Sequence, residues 1–125
     1  KVNKKMYMVD LGLRNHILPR KGYGLGFSIE NIAFFELVRR GYKVNIGKFG
    51  STEVDFVAQS QDIITYYQVT ADMTAEETFE REMRPLRHIQ DNYKKIVLTL
   101  DRFSLGNYVG VKVTNVIDWL LMIDS

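Results

Sequence analysis

Two carboxylates in this chain are placed where they could hold a divalent metal ion. Glu30 lies in a long amphipathic helix, at the edge of its apolar stripe, and Asp55 lies in a stretch typical of a short buried strand, Glu53 to Ala58. A carboxylate in such a place needs a compensating partner, and Mg²⁺ accepts a few carboxylates while it keeps several waters. If the next strand, Ile63 to Thr70, pairs with the first as a hairpin, the amide of Gln68 comes near Asp55. Glu30 and Asp55 are therefore candidate metal ligands, with a structural ion pair as the alternative.

The elements that must position these side chains follow from apolar periodicity and turn residues. A helix is predicted from about Phe27 to Arg40, with Gly41 placed to end it. Three strands follow as an antiparallel meander, from Tyr42 to Lys48 and then the two stretches that carry Asp55 and Gln68. Alternation predicts Glu53, Asp55 and Val57 on one face of the middle strand and Val54, Phe56 and Ala58 on the other.

In the second half of the chain, the sequence pattern predicts a helix from Thr74 or Ala75 to Ile89. Thr74 and Glu77 match a capping box at its start, and Pro85 is expected to kink or divide it. Further predicted elements are a strand from Lys94 to Leu100, a short strand from Tyr108 to Val113, and a last helix, capped by Asn115, through Met122. Ahead of them stand a strand end at Tyr7 to Val9, a short helix from Asp10 to Leu18, and a Gly-rich loop from Pro19 to Gly26.

Length and composition favour one globular domain, residues 1–125, in which residues 1–25 form a lead-in segment and the Gly-rich loop. The chain begins without Met, so we expect a fragment of a longer protein. A formal charge of +2 is too small to indicate nucleic-acid binding by itself. The absence of cysteine excludes disulfides and thiolate metal sites and fits a cytoplasmic location, and no apolar run is long enough for a membrane span. The element order indicates an α/β fold with a central mixed sheet flanked by helices.

Several short motifs occur together in the chain: Glu30-Asn31 after Gly24, Glu36-Leu37 with Arg39-Arg40-Gly41-Tyr42, Glu53-Val54-Asp55-Phe56-Val57-Ala58, and Gln68-Val69. They resemble the motifs of the PD-(D/E)XK, or restriction-endonuclease-like, superfamily. More closely, nearly the full chain resembles the C-terminal domain of unknown function found on many prokaryotic predicted ATPases of the AAA class. The motifs shared with that domain are Tyr7-Met8-Val9-Asp10, Thr78 with Arg81-Glu82 and Pro85-Leu86, Lys95-Ile96-Val97-Leu98-Thr99 with Asp101, and Val116-Ile117-Asp118-Trp119-Leu120-Leu121.

The resemblance implies an α-β-β-β-α-β core and assigns roles to individual residues. Glu30 and Asp55 match the magnesium-binding carboxylates, whereas Gln68 and Thr70 stand where active members carry an acid and a lysine. An amide oxygen can still bind a metal but brings no charge, and threonine cannot stabilise charge that develops on a phosphate. The implied catalytic and metal set is therefore Glu30, Asp55 and Gln68, in a site that has lost much of its chemistry.

The function that the resemblance implies is an accessory domain with a degenerate nuclease site, which binds nucleic acid or regulates an ATPase module. Its expected partners are the ATPase module of the same full-length protein, DNA or RNA, and a second copy of the chain. No Walker motif is present, so ATP would bind outside this chain. Lys48, Arg81 and Arg84 are candidate nucleic-acid contacts, although Arg81 and Arg84 also suit a solvated, salt-bridged helix face. Two alternatives stay open: an active magnesium-dependent nuclease, in which Lys48 or Arg81 replaces the lost lysine, and a protein-interaction or oligomerisation module.

Overall fold

A computed structural model describes residues 6–10 and 25–122 of the chain, with side chains described from residue 29 onward. The predicted helix from Asp10 to Leu18 and most of the Gly-rich loop lie outside the described residues. The strands are β1 Met6–Asp10, β2 Lys43–Phe49, β3 Thr52–Ser60, β4 Ile63–Thr70, β5 Lys94–Thr99, β6 Gly106–Tyr108 and β7 Val111–Asn115. The helices are α1 Leu25–Arg39, α2 Glu76–Arg87 and α3 Val116–Leu121.

The described strands form one seven-stranded mixed sheet in the order β1-β2-β3-β4-β5-β7-β6. Strands β2 to β4 form the predicted antiparallel meander. Strand β1 also pairs with β2 antiparallel, although α1 lies between them in the chain. The chain then crosses over through α2, so that β5 pairs with β4 in parallel, and β7 pairs with β5 in parallel. The predicted α/β fold with a mixed sheet flanked by helices is confirmed, and none of the described helices combines the length and apolarity needed to cross a membrane.

Both faces of the sheet are covered, so the molecule has two separate cores. Helices α1 and α3 pack on one face around Phe34, Phe56 and Trp119, and we call this the first core. Helix α2 packs on the other face around Met83 and Leu86, which defines the second core. Strand β4 contributes Tyr67 and Val69 to the first core and Ile64 and Tyr66 to the second, as its alternating pattern predicts.

The end of α1 follows the prediction that Gly41 stops it. Gly41 has a φ of 95°, its N–H donates to the Val38 carbonyl at 2.9 Å, and the Tyr42 N–H donates to the Leu37 carbonyl at 3.1 Å. This double hydrogen bond is a Schellman motif, in which a residue with positive φ satisfies the last carbonyls of a helix.

The start of α2 corrects the predicted capping box. The N-cap residue is Ala75, whose methyl side chain cannot accept a hydrogen bond. Thr74 belongs to the turn before the helix, where its N–H donates to Asp72 Oδ1 at 2.7 Å. Pro85 neither divides nor ends α2, which continues to Arg87.

The predicted strand from Tyr108 to Val113 is also wrong, because the segment is a hairpin. Tyr108 ends β6, Val109 and Gly110 form the turn with φ values of 51° and 88°, and Val111 begins β7. Two consecutive positive φ values are those of a type I′ turn, which sequence rules associate with Asn-Gly. The cap at Asn115 is confirmed, since its Oδ1 accepts the N–H groups of Ile117 and Asp118 at 3.0 and 3.1 Å.

Candidate functional site

Strand β3 contains a bulge at the position of the central carboxylate. Two residues of β3, Asp55 and Phe56, stand opposite one residue of β2, Ile46. Because of this extra residue, Val54 and Val57 pack in the same core. The strict alternation predicted for β3, with Val54 and Val57 on opposite faces, is therefore wrong.

Beyond the bulge, side chains replace the backbone ladder between β3 and β4. The paired register runs from Ser60 and Ile63 as far as Phe56 and Tyr67. At the next position the Asp55 N–H donates to Gln68 Oε1 at 2.8 Å, and the Val69 N–H donates to Asp55 Oδ2 at 2.9 Å. The predicted proximity of Asp55 and Gln68 is confirmed, and both side chains are engaged in joining the strands.

Gln68 also joins the sheet to α2. Its Nε2 donates to the Glu82 carbonyl oxygen at 3.2 Å, and the Glu82 side-chain Oε1 lies 3.5 Å from the same nitrogen. The amide thus accepts from one strand and donates to a helix. A carboxylate at position 68 could do only the first of these.

Glu82 is a site residue that the sequence analysis missed. Its neighbour Arg81 was expected to suit a solvated, salt-bridged face, but only 2% of Glu82 is exposed. The signal was present in the helical spacing, because residue 82 falls on the same stripe as Phe79, Met83 and Leu86, which face the second core.

Glu30 is buried on α1 with 1% exposure, on the side of the helix that faces the first core. Among the described residues, no three side chains of the His, Cys, Asp and Glu types lie close enough together to hold a metal ion. Glu30, Asp55 and Glu82 therefore do not form a three-carboxylate group.

The oxygen atoms of Asp55 and Gln68 are arranged to join two strands rather than to hold Mg²⁺. Mg²⁺ favours octahedral coordination by oxygens. Here the Gln68 oxygen accepts the Asp55 N–H, and one Asp55 oxygen accepts the Val69 N–H. A cation bound at this point would compete with both backbone hydrogen bonds.

Two cations were proposed for an active nuclease, Lys48 and Arg81, and both lie beside acids. Lys48 Nζ lies 3.7 Å from Glu53 Oε2, and Arg81 Nε lies 3.9 Å from Glu82 Oε2 while 66% of the Arg81 side chain is exposed. Arg84 is exposed on the same helix. The Thr70 hydroxyl donates to the Asp72 carbonyl at 3.3 Å.

A second buried polar cluster, which the sequence analysis did not single out, lies under the end of α2. Asp91 accepts the Tyr66 hydroxyl at 2.7 Å, and Lys95 Nζ donates to Asp91 Oδ1, to the Asp91 carbonyl and to the Tyr93 carbonyl at 2.9 to 3.0 Å. Burial would raise the pKa of Asp91, but hydrogen bonds from Lys95, Tyr66 and the Tyr93 N–H outweigh it and lower that pKa. The cluster borders a cleft of about 540 Å³. Since three acceptors occupy the Lys95 ammonium, its role is to fix the 91–93 segment against the sheet.

A third cluster fixes the loop that follows β5. Asp101 Oδ2 accepts the Met73 N–H and the Thr99 hydroxyl, and Oδ1 accepts the N–H groups of Phe103 and Ser104, all at 2.8 to 2.9 Å. Burial opposes the charged form, but these four donors lower the pKa of Asp101 to about 2.

Arg40, which follows the last residue of α1, joins the end of that helix to the end of α3. Arg40 Nε pairs with Glu36 Oε2 at 2.7 Å, and Arg40 Nη2 also donates to the Trp119 carbonyl at 2.6 Å. The guanidinium lies 4.5 Å from the centre of the Trp119 ring. Hydrogen bonds from Arg39 and Arg40, with Arg39 the stronger, lower the pKa of Glu36 to about 2 against the effect of burial.

Comparison with known proteins gives one informative relative. The chain is 45% identical over 121 residues to an uncharacterized protein of Haemophilus influenzae, and the alignment covers 97% of this chain but 30% of that protein. The chain thus spans less than a third of the relative's length. No model of a known protein family matches the chain, and no solved structure matches it.

Proposed function

We propose that this chain is the C-terminal accessory domain of an AAA-class ATPase, with a restriction-endonuclease-like fold and a degenerate PD-(D/E)XK site. It acts by binding the ATPase module or nucleic acid, and it does not cleave phosphodiester bonds.

The proposal rests on the hydrogen bonds of Asp55 and Gln68, which join strands instead of holding a metal ion. Both side chains accept backbone N–H groups across the β3–β4 junction, and Gln68 also holds α2 through the Glu82 carbonyl. Thr70, where the resemblance places a lysine in active members, brings no charge. A site in which the strand carboxylate serves as a junction between β3 and β4 suits a domain that has kept a nuclease framework for its shape.

The order of elements supports the fold within this proposal. Helix α1, the strands β2 to β4, helix α2 and strand β5 follow one another as the α-β-β-β-α-β core requires. The length of the relative supports the accessory role, because a region of this size is 30% of that protein.

The distribution of charge favours regulation of the ATPase module over nucleic-acid binding. Nucleic acid is bound through cations that face its phosphates. In this chain Arg87 pairs with Glu80 at 2.8 Å, Lys48 lies beside Glu53, and Arg102 pairs with Asp118 at 3.0 Å. These acids offset the charge of Arg87, Lys48 and Arg102, which lowers the positive charge that this part of the described surface offers to phosphates.

A nuclease assay tests the catalytic part of the proposal. The chain and an Asp55→Asn variant are incubated with single- and double-stranded DNA and RNA in Mg²⁺ or Mn²⁺. We expect no cleavage by the chain above that of the variant. Metal-dependent cleavage that disappears in Asp55→Asn would overturn the proposal in favour of an active nuclease.

A binding assay tests the partner. Fluorescence anisotropy of labelled DNA and RNA is measured at several salt concentrations, and the ATPase rate of the full-length protein is compared with that of a form from which residues 25–122 are deleted. We expect a changed ATPase rate and weak nucleic-acid binding. Tight binding that falls steeply with salt would assign the domain to nucleic acid instead.

A further inference from the structure

An exposed aromatic ring is displayed by a loop whose backbone is held rigidly. Phe103 follows β5 and is 89% exposed, whereas the next residue, Ser104, is buried. The carboxylate of Asp101 accepts the N–H groups of both, at 2.9 and 2.8 Å. The Tyr108 hydroxyl donates to the Ser104 carbonyl at 2.8 Å and fixes the loop from its other side. Such a loop has little conformational freedom to lose on binding, and buried aromatic anchors contribute much of the energy of an interface.

Helix α3 presents further apolar side chains beside this loop. Ile117 and Leu121 are one helical turn apart and are 44% and 74% exposed. Arg102 holds the loop to the helix through two hydrogen bonds with the Asp118 carboxylate, at 3.0 and 3.2 Å. We call Phe103, Ile117 and Leu121 the Phe103 surface.

We propose that the Phe103 surface is the face on which this domain binds the rest of a longer polypeptide of which it is part. This inference rests on the proposed accessory role. The relative extends well beyond the aligned region, which is 30% of its length, so a domain like this one has a larger neighbour in the same chain. Interfaces between domains of one chain commonly bury 600–1,500 Å² in rough terms, which is enough to cover a loop and a short helix.

The chemistry of the Phe103 surface indicates a protein partner. Its three side chains are apolar, and the two charges beside it, Arg102 and Asp118, are paired with each other. A phosphate backbone would require cations that remain available for it. An apolar pocket on the ATPase module, with a polar rim facing the Arg102–Asp118 pair, meets these requirements.

Photo-crosslinking in the full-length protein tests the proposal. Benzoylphenylalanine replaces Phe103 in one version and Ile63 in a control. Ile63 is also a large apolar residue that is mostly exposed, at 63%, and it lies at the start of β4. The products are separated by size and mapped by mass spectrometry. We expect a crosslink within one polypeptide from position 103 to a segment outside this domain, with a yield several-fold above that from position 63.

Each other outcome overturns the proposal. A crosslink to a second copy would assign the surface to self-association, and a yield no higher than that from Ile63 would remove the surface as an interface. Phe103→Ser supplies a second measurement: we expect faster hydrogen exchange in the crosslinked partner segment and an unchanged melting temperature for the 125-residue chain. The ATPase comparison with the form that lacks residues 25–122 is independent of both results, so the accessory role and this surface can fail separately.

Discussion

Replacement of Gln68 by leucine tests whether this amide joins the strand junction to α2. Gln68→Leu keeps a similar volume but removes the acceptor of the Asp55 N–H and the donor to the Glu82 carbonyl. Each buried polar group left without its partner costs about 1–3 kcal/mol. We therefore expect the free energy of unfolding to fall by about 3 kcal/mol, which corresponds to a melting temperature lower by roughly 10 °C for a domain of this size.

Urea unfolding followed by fluorescence measures this change directly. Trp119 is the one tryptophan of the sequence and is buried in the first core, so its emission reports global unfolding. Gln59→Leu is the matched control, since it is the same substitution in β3 at a side chain whose hydrogen bond, to the Gln61 carbonyl at 3.3 Å, is exposed. We expect the control to change stability by less than about 0.5 kcal/mol.

Gln68→Glu separates the two hydrogen bonds of the amide. The new carboxylate can still accept the Asp55 N–H, but it faces the Glu82 carbonyl without a proton to donate. Burial raises the pKa of such a carboxyl group above its value in the unfolded chain, so the folded state favours the protonated form. The stability deficit relative to the natural chain should therefore shrink as the pH falls from about 7.5 to about 5. The reasoning is refuted if Gln68→Leu costs no more than Gln59→Leu, or if the Gln68→Glu deficit does not shrink with acid.

Three further predictions concern the other clusters. Hydrogen bonds lower the pKa of Asp101 to about 2, so its charged carboxylate stabilises the fold above the pKa of an unfolded aspartate. This stabilisation is lost as the pH falls through the folded value. Asp101→Asn should therefore lower the free energy of unfolding by about 2 kcal/mol at neutral pH, and the difference from the natural chain should vanish near pH 2 in acid unfolding. Arg40→Leu removes the hydrogen bonds to Glu36 and to the Trp119 carbonyl, so it should lower the free energy of unfolding by about 2 kcal/mol. It should also shift the Trp119 emission to longer wavelength, whereas Arg39→Ala, at an exposed position, should leave the emission unchanged. Val109 is 98% exposed with a φ of 51°, so Val109→Asn should raise the melting temperature by a few degrees, and a decrease would contradict the assigned turn.

The elements of the sheet were largely predictable because their signals are local. Strand β4 was predicted with the bounds that the structure gives, since Ile64, Tyr66, Tyr67 and Val69 alternate between two apolar faces. Gly41 marked the end of α1 because its positive φ favours glycine. The bulge in β3 was not predictable in this way, because an extra residue is defined only against its partner strand.

Other misses have equally specific causes. The hairpin turn at Val109 was hidden because a β-branched residue in a left-handed conformation runs against its own preference. The capping box does not form, because the Thr74 N–H donates to Asp72 and Thr74 therefore lies in the turn before the helix. The proximity of Asp55 and Gln68 followed from the hairpin, but the link to Glu82 depends on the packing of α2 over the sheet, which sequence spacing does not specify.

Two consecutive tyrosines in β4 make it possible to observe the two cores separately. Tyr66 lies in the second core, with its hydroxyl bonded to Asp91, and Tyr67 lies in the first core, with its ring 5.8 Å from that of Trp119. A fluorine label on either ring would thus give a resonance sensitive to one helical layer alone, although the labels are adjacent in the chain. If binding of a partner loosens only the α2 side, the signal from position 66 should broaden while that from position 67 stays sharp.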